Sequence, residues 1–210
     1  MDEWTEWCTV TPTQRKEFSD SPGLFEGDPF VVYAGVSCDL QQLDVSKARA
    51  ERRLAYIESR AVDFKVAEIL DAHPDTEDLG GPLNIDAAIG YAEAWAATVY
   101  GGRPTLLVPR GMIACTSEGR LQRNLDGTLT TLNGSLVAPY TTHVDLPIPA
   151  DPVLTMFIVG STTLFRGPVH SFSVPQQVFV DGTFAPMRAL AERIFVPVFD
   201  CLMGKLEVTC

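Results

Sequence analysis

Hydrophobic and polar positions alternate between two periods along this chain, and the change of period marks its elements. Pro29 to Val36 (PFVVYAGV) is a short β-prone apolar run ended by Ser37 and Cys38. From Asp44 to Asp71 the spacing lengthens to three- and four-residue steps. Leu54, Ile57, Ala61 and Phe64 recur on one stripe, widened toward its end by Val62, Val66, Ile69 and Leu70, which predicts the longest element of the chain, an amphipathic helix. Its opposite side carries Lys47, Arg49, Glu51, Arg52, Arg53, Glu58, Arg60 and Glu68, a solvated or subunit-facing surface of mixed sign. Pro74, Gly80, Gly81 and Pro82 stop that helix. A second helix is predicted behind Asn84 as its cap, with Ile85, Ala88, Ala92, Trp95, Ala96 and Val99 on one face and the Gly101–Gly102 pair at its end.

The remainder reads as strand. Pro104 to Pro109 is a continuous apolar run of the kind buried on both sides of a sheet, and Arg110–Gly111 leads into a short segment, Met112 to Ser117. Asp126–Gly127 and Asn133–Gly134 predict the turns of a hairpin or meander within Leu121 to Val137, and Thr141 to Pro152 reads as loop. Short strands are expected at Val153–Val159, Thr162–Phe165, Val169–Val174 and Val178–Val180. Ala185 to Phe199 reads both ways, because MRALAER suits a helix and IFVPVF a strand, whereas Lys205 to Thr209 alternates as an edge strand would. Residues 1–29 form an extended arm broken by Pro12, Pro22, Gly23, Gly27 and Pro29. Trp4, Trp7, Phe18, Leu24 and Phe25 are too apolar for a free tail, so the arm is expected to dock on the protein's own body or on a neighbouring subunit.

Charge and composition narrow the function classes. The 210 residues hold 16 Lys+Arg against 27 Asp+Glu, a net charge of −11, which argues against binding duplex nucleic acid, where clustered cations are needed. With 46% hydrophobic and 20% charged residues the chain is globular and long enough to bury a sizeable core. No apolar stretch approaches the ~18–20 residues of a spanning helix, and the acidic start MDEWTEWCTV has no apolar run behind it, so a soluble protein without a signal peptide is expected. Cys8, Cys38, Cys115, Cys201 and Cys210 are odd in number and widely spaced, so reduced thiols are the expectation, with an intersubunit disulfide through a mobile Cys210 as the alternative under oxidising conditions.

Catalytic motifs are lacking. His143, Asp145 and Ser171 are the residue types of a hydrolase triad, but no nucleophile elbow accompanies them. Asp71, His73, Asp75, Glu77 and Asp78 form an oxygen-rich loop whose order, interrupted by Pro74 and lacking a central glycine, does not match a calcium loop; a solvated acidic turn is the better reading. There is no phosphate-binding glycine loop. No catalytic residue, cofactor or metal ligand is assigned.

The order of these pieces resembles the tailed-bacteriophage capsid proteins of the Hong Kong 97 fold, a family that includes the encapsulins. Arg52 to Asp71 followed by Leu79–Gly80–Gly81 is similar to the family's spine helix and the glycine-rich loop after it. Ile85–Tyr100, Pro104–Arg110 with Gly111–Ser117, and Leu121–Val137 look like the axial helix, buried strand and hairpin in that order. Met187 to Phe199, with Arg188, Ala191, Glu192, Arg193 and Val196, resembles the family's long late strand, and Cys201–Val208 its final one, so the resemblance resolves that ambiguous segment toward strand. It implies an α+β fold with an N-terminal arm (1–29), a peripheral spine-helix domain (30–82 and 168–210) and a mixed α/β axial domain (83–167). It further implies a virion shell subunit, assembled in the host cytoplasm into hexamers, pentamers or rings with itself and with other virion proteins, without sequence-specific nucleic-acid or membrane binding. Subunit-interface residues are then expected at Trp4, Trp7, Phe18, Phe25, Arg52, Arg53 and Arg60. Only Pro29 to Asp44 stands where family members carry a long loop, so either that loop is reduced or the chain is a minor head or head–tail component. An encapsulin-like compartment shell and an enzyme with an unrecognised site are the competing readings.

Overall fold

A computed structural model describes residues 25–26, 29–38, 43–142, 152–174 and 187–210 of the chain. The fold is α+β, and it divides into two compact units with boundaries inside its longest helix and its longest strand. One unit holds Val66–Thr163 and Val198–Cys210; the other holds the chain from Pro29 through Lys65 and Leu164–Pro197.

The first unit is built on a mixed eight-stranded sheet. Its central strands are β5 (Thr105–Pro109), parallel to β8 (Leu136–Tyr140) on one side and antiparallel to β9 (Leu154–Val159) on the other. Beyond β8 the meander continues through β7 (Leu129–Thr131) to β6 (Leu121–Arg123), with the left-handed φ of +86° at Gly127 and +85° at Gly134 that the two predicted turns require. Beyond β9 lies β13 (Met203–Thr209), whose outer side pairs with the two-residue strands β3 (Glu77–Asp78) and β4 (Leu83–Asn84). Thus β13 is not the edge strand its alternation suggested. The loop after the long helix folds back beside it in two short pieces that have no periodicity of their own.

Both faces of this sheet are covered, which explains the uninterrupted apolar runs. Helix α2 (Ile85–Val99) lays Ile85, Ala88, Ile89, Ala92 and Ala96 over Leu106, Val108, Met156, Ile158, Leu206 and Val208. On the other face Leu70, with Val66, Ala67 and Ile69 of the end of α1 (Leu43–Ala72), packs on Tyr140, Phe157, Val159, Phe199 and Met203. Asn84 caps α2 as expected, its Oδ1 accepting the Asp86 N–H at 3.0 Å, and Gly101 ends it with φ +70° and its N–H on the Ala96 carbonyl.

The expectation of reduced cysteines is overturned. Cys115, at the end of the short 3-10 turn Met112–Cys115, forms a disulfide with Cys210, and Cys201 is disulfide-bonded as well. Cys210 is not a loose end: β13 runs to the residue before it, and its carbonyl accepts from Asn84 Nδ2 at 2.5 Å. The partners are 95 residues apart and meet only through the sheet, so no local spacing announces them.

In the second unit, β12 (Met187–Phe199) is the organising strand. It pairs with β2 (Phe30–Cys38) along one side and with β11 (His170–Val174) and β10 (Thr162–Arg166) as further neighbours, while beyond Pro197 its last residues pair with β1 (Phe25–Glu26). The ambiguous segment is therefore strand. Phe30, Val32, Ala34, Ala189, Ala191 and Phe195 are all buried and share one face by register, with Phe30 and Phe195 stacked at 5.5 Å. Helix α1 closes that face along a ridge of four-residue steps: Ser46, Ala50, Leu54 and Glu58 are at most 9% exposed. This departs from the stripe read from sequence. Ile57 is 37% exposed and Glu58, expected in solvent, takes the core position.

Candidate assembly surfaces

The buried carboxylate of Glu58 explains that displacement. Arg193, on the same face of β12 as Ala191 and Phe195, donates through Nη1 to both Glu58 oxygens, at 3.0 Å to Oε1 and 2.9 Å to Oε2. Arg166 of β10 reaches Oε1 through Nη2 at 2.6 Å. The Glu58 and Arg193 side chains are 11% and 14% exposed, Arg166 58%. A hydrophobic-periodicity reading places a glutamate outside, because it does not register an arginine arriving from a strand far along the chain. Arg193 Nε is buried without a hydrogen-bond partner among the described residues, so the guanidinium depends on Glu58 for its compensation. This triad locks α1 onto the sheet.

Among the described residues no helix or strand covers the opposite face of the same sheet. Register sets Val31 beside Ile194, Tyr33 beside Glu192 and His170, and Gly35 beside Leu190 and Phe172. Alternation along β10 turns Phe165 to this side, since Arg166 faces the helix. Tyr33, Phe165, Val31, Ile194 and Phe172 are 66%, 58%, 49%, 46% and 37% exposed. Leu190 is laid across Gly35, where a Cβ would come within 2.8 Å of its Cδ2, so that glycine keeps the row flat. Aromatic and β-branched side chains on a flat exposed sheet face have the composition of interface anchors rather than of solvated surface. Nothing in the sequence distinguished these residues from core: β2 reads as one apolar run, and only the position of α1 decides which alternate residues are sealed.

The residues expected at a subunit interface are distributed as follows. Trp4, Trp7 and Phe18 lie outside the described residues; Phe25 contributes backbone to β1, and its side chain also lies outside them. Arg52, Arg53 and Arg60 are all exposed on α1. Arg52 Nε donates to the Ala48 carbonyl at 3.3 Å, Arg53 Nη1 to the Gly35 carbonyl at 3.2 Å, and the Arg60 guanidinium stands 5.3 Å from the Phe64 ring centre. Arg53 thus ties the helix to β2, while Arg52 and Arg60 make contacts within the helix.

The decoy chemistry is accounted for where it is described. His143 and Asp145 lie outside the described residues. In the acidic loop His73 Nδ1 accepts from the Asp75 N–H at 3.2 Å, Asp78 Oδ1 from the Gly80 N–H at 2.9 Å, and Asp71 pairs with Lys205 at 2.8 Å, which raises the lysine pKa. Among the described residues no group of three or more His, Cys, Asp or Glu is placed to hold a metal, and no helix is long and apolar enough to cross a membrane. Elsewhere hydrogen bonds from the Ser117 hydroxyl and N–H lower the pKa of the Asp86 carboxyl. Burial, reinforced by the Asp200 carboxylate 2.6 Å away, pushes the Tyr100 phenol up to about 12. These shifts arise from helix capping and packing.

No family model matches the sequence, and no curated protein matches it. Among solved structures, the chain is similar to a subunit from the capsid structure of the cyanophage P-SCSP1u, at 10% identity over 93% of this chain and 80% of that one, with a TM-score of 0.39. Superposition at that score does not fix a common fold.

Proposed function

We propose that the chain is a structural subunit of a tailed-phage virion, of the Hong Kong 97 capsid class, that assembles with copies of itself through protein–protein contacts. The observation that carries the reading is the second unit's sheet. One face is locked to α1 by the Glu58 triad, while the other holds Val31, Tyr33, Phe165, Phe172 and Ile194 open to solvent. A rigid plate with an apolar outer face gains by lateral burial. The choice of a shell among possible assemblies rests on the element order: a 30-residue helix, a shorter helix over a mixed sheet, and a 13-residue late strand. On this reading the unit containing β2, most of α1 and β12 is the peripheral part and the α2 unit the axial part, which moves residues 66–82 and 198–210 to the axial part and 164–167 to the peripheral part relative to the bounds expected from sequence. Arg52, Arg60 and the arm residues Trp4, Trp7, Phe18 and Phe25 then serve as further contacts, and the product is a virion component built in the host cytoplasm.

The test is mass determination by light scattering with negative-stain imaging of the full chain at rising concentration, beside a Tyr33→Lys/Ile194→Lys variant. Rings, capsomers or shells from the native chain, and a folded but unassembled variant, are the expected results. A native chain that stays at 22.9 kDa throughout overturns the proposal.

A further inference from the structure

The first unit contains a cavity of about 510 Å³ between α2 and the β7–β8 turn. Glu93 lines it, with its hydrogen-bonding capacity taken up by neutral donors: Oε1 accepts from Thr131 Oγ1 at 2.5 Å and Ser135 Oγ at 2.7 Å, and Oε2 from Asn133 Nδ2 at 2.7 Å. These bonds fix the turn. On the cavity wall Arg103 lies across Gly134, where an added Cβ would come within 3.0 Å of Nη1, so the left-handed glycine both makes the turn and gives the guanidinium its path. Arg120 lines the cavity as well. It acts as a nearby positive charge on Asp86, a carboxylate that accepts hydrogen bonds from the N–H and hydroxyl of Ser117. Neither Arg103 nor Arg120 has an ion pair among the described residues. In a chain with 27 acidic and 16 basic residues, two guanidinia against one lining carboxylate leave this concavity net cationic, and with Ile89 and Leu132 in the same lining it describes a receptor for a carboxylate carried on an apolar stem.

The complementary group stands at the other end of the same sheet. The strand order runs from β3 at one edge to β6 at the other, and the cavity belongs to the β6 side. On β3, Glu77 and Asp78 are both exposed, and the Glu77 carboxylate has no partner among the described residues. One sheet therefore presents exposed carboxylates at one edge and a net cationic cavity toward the other. Such a surface pairs head to tail, which closes into a ring when the rotation permits.

We propose that the Arg103/Arg120 cavity receives the acidic β3 edge, through Glu77, of a second copy of this chain. This rests on the shell-subunit reading and adds the contact that sets ring closure. The experiment uses the full chain in three forms: native, Arg103→Glu/Arg120→Glu, and Glu77→Arg/Asp78→Arg. Sedimentation velocity follows association, and circular dichroism with thermal melts checks that both variants fold as the native chain does. Each reversal alone should raise the concentration needed for association by about tenfold or more, because like charges then face each other. Mixing the two variants should restore it, since each then supplies the edge that the other's cavity needs. A native chain that never associates overturns the shell reading and the ring contact with it. Variants that associate as the native chain does overturn the cavity contact alone. Loss in both variants without recovery on mixing overturns the pairing of cavity with β3.

Discussion

Replacing Glu58 by Gln keeps the side chain's shape and removes its charge, which isolates the electrostatic part of the lock between α1 and the sheet. Arg193 is 14% exposed and its Nε has no other partner among the described residues, so the variant holds an uncompensated buried guanidinium. Removing one member of a buried ion pair costs about 3–5 kcal/mol. For a chain of this size, where each kcal/mol shifts the midpoint by roughly 2–4 °C, Tm should fall by about 6–20 °C. Arg166 is 58% exposed, so Arg166→Ala should cost less than about 1 kcal/mol after screening. The discriminating variant is Glu58→Leu/Arg193→Met. With both charges gone and volume retained, stability should return to the native value or exceed it. Urea and thermal unfolding of the native chain, Glu58→Leu, Arg193→Met and the double variant, treated as a double-mutant cycle, give the coupling directly. A Glu58→Gln loss below about 1 kcal/mol, or a double variant whose loss equals or exceeds the summed losses of Glu58→Leu and Arg193→Met, would refute the assignment of Glu58 as the buried lock.

Three further outcomes are expected. Leu54→Asp should prevent folding of its unit because it buries an unpaired carboxylate beside the lock, whereas Ile57→Asp, at a position 37% exposed, should leave the circular dichroism spectrum native; the reverse order would mean that α1 is rotated. Cys210→Ser should lower stability by about 2–5 kcal/mol in urea unfolding, and a reductant should lower that of the native chain by more, because it also opens the Cys201 disulfide. Ultraviolet titration should find a phenol ionising near 12 whose contribution is missing in Tyr100→Phe. Since the folded pKa lies above the unfolded value of 10.0, that group's stabilisation is complete below pH 10.0 and is lost as pH rises toward 12, so the unfolding free energy should decline across that window more steeply in the native chain than in the variant.

The elements legible in the sequence are those whose cause is local. Asn84, Gly101, Gly127 and Gly134 act within a turn or a cap, and each stands where its side chain or its freedom of φ predicts. The continuous run at β5 reported two covered faces correctly. What was not legible depends on residues that meet across the fold. Glu58 reads as solvent-facing until Arg193 arrives, 135 positions later. Cys115 and Cys210 read as free thiols until β13 brings them together. The outer face of β2 reads as core until α1 takes one side. The same holds for Arg103 and Arg120, which are unremarkable charges in the chain and become a pair only across a cavity.

Covering both faces of the β9 sheet has a consequence for how its pairing is chosen. In a half-exposed strand, slipping by one residue drives apolar groups into water, and that penalty enforces the alignment. Met156 and Ile158 face α2 while Phe157 and Val159 face the end of α1, so a slip of β9 would exchange one apolar layer for the other and expose nothing. Alignment must then be selected by shape, through the Phe157 and Tyr140 rings that meet in one layer, and by directional contacts such as the Tyr140 hydroxyl donating to the Thr155 carbonyl at 2.5 Å. The strand with the most hydrophobic sequence in the sheet is thereby the one whose correct neighbour-to-neighbour matching relies least on hydrophobicity.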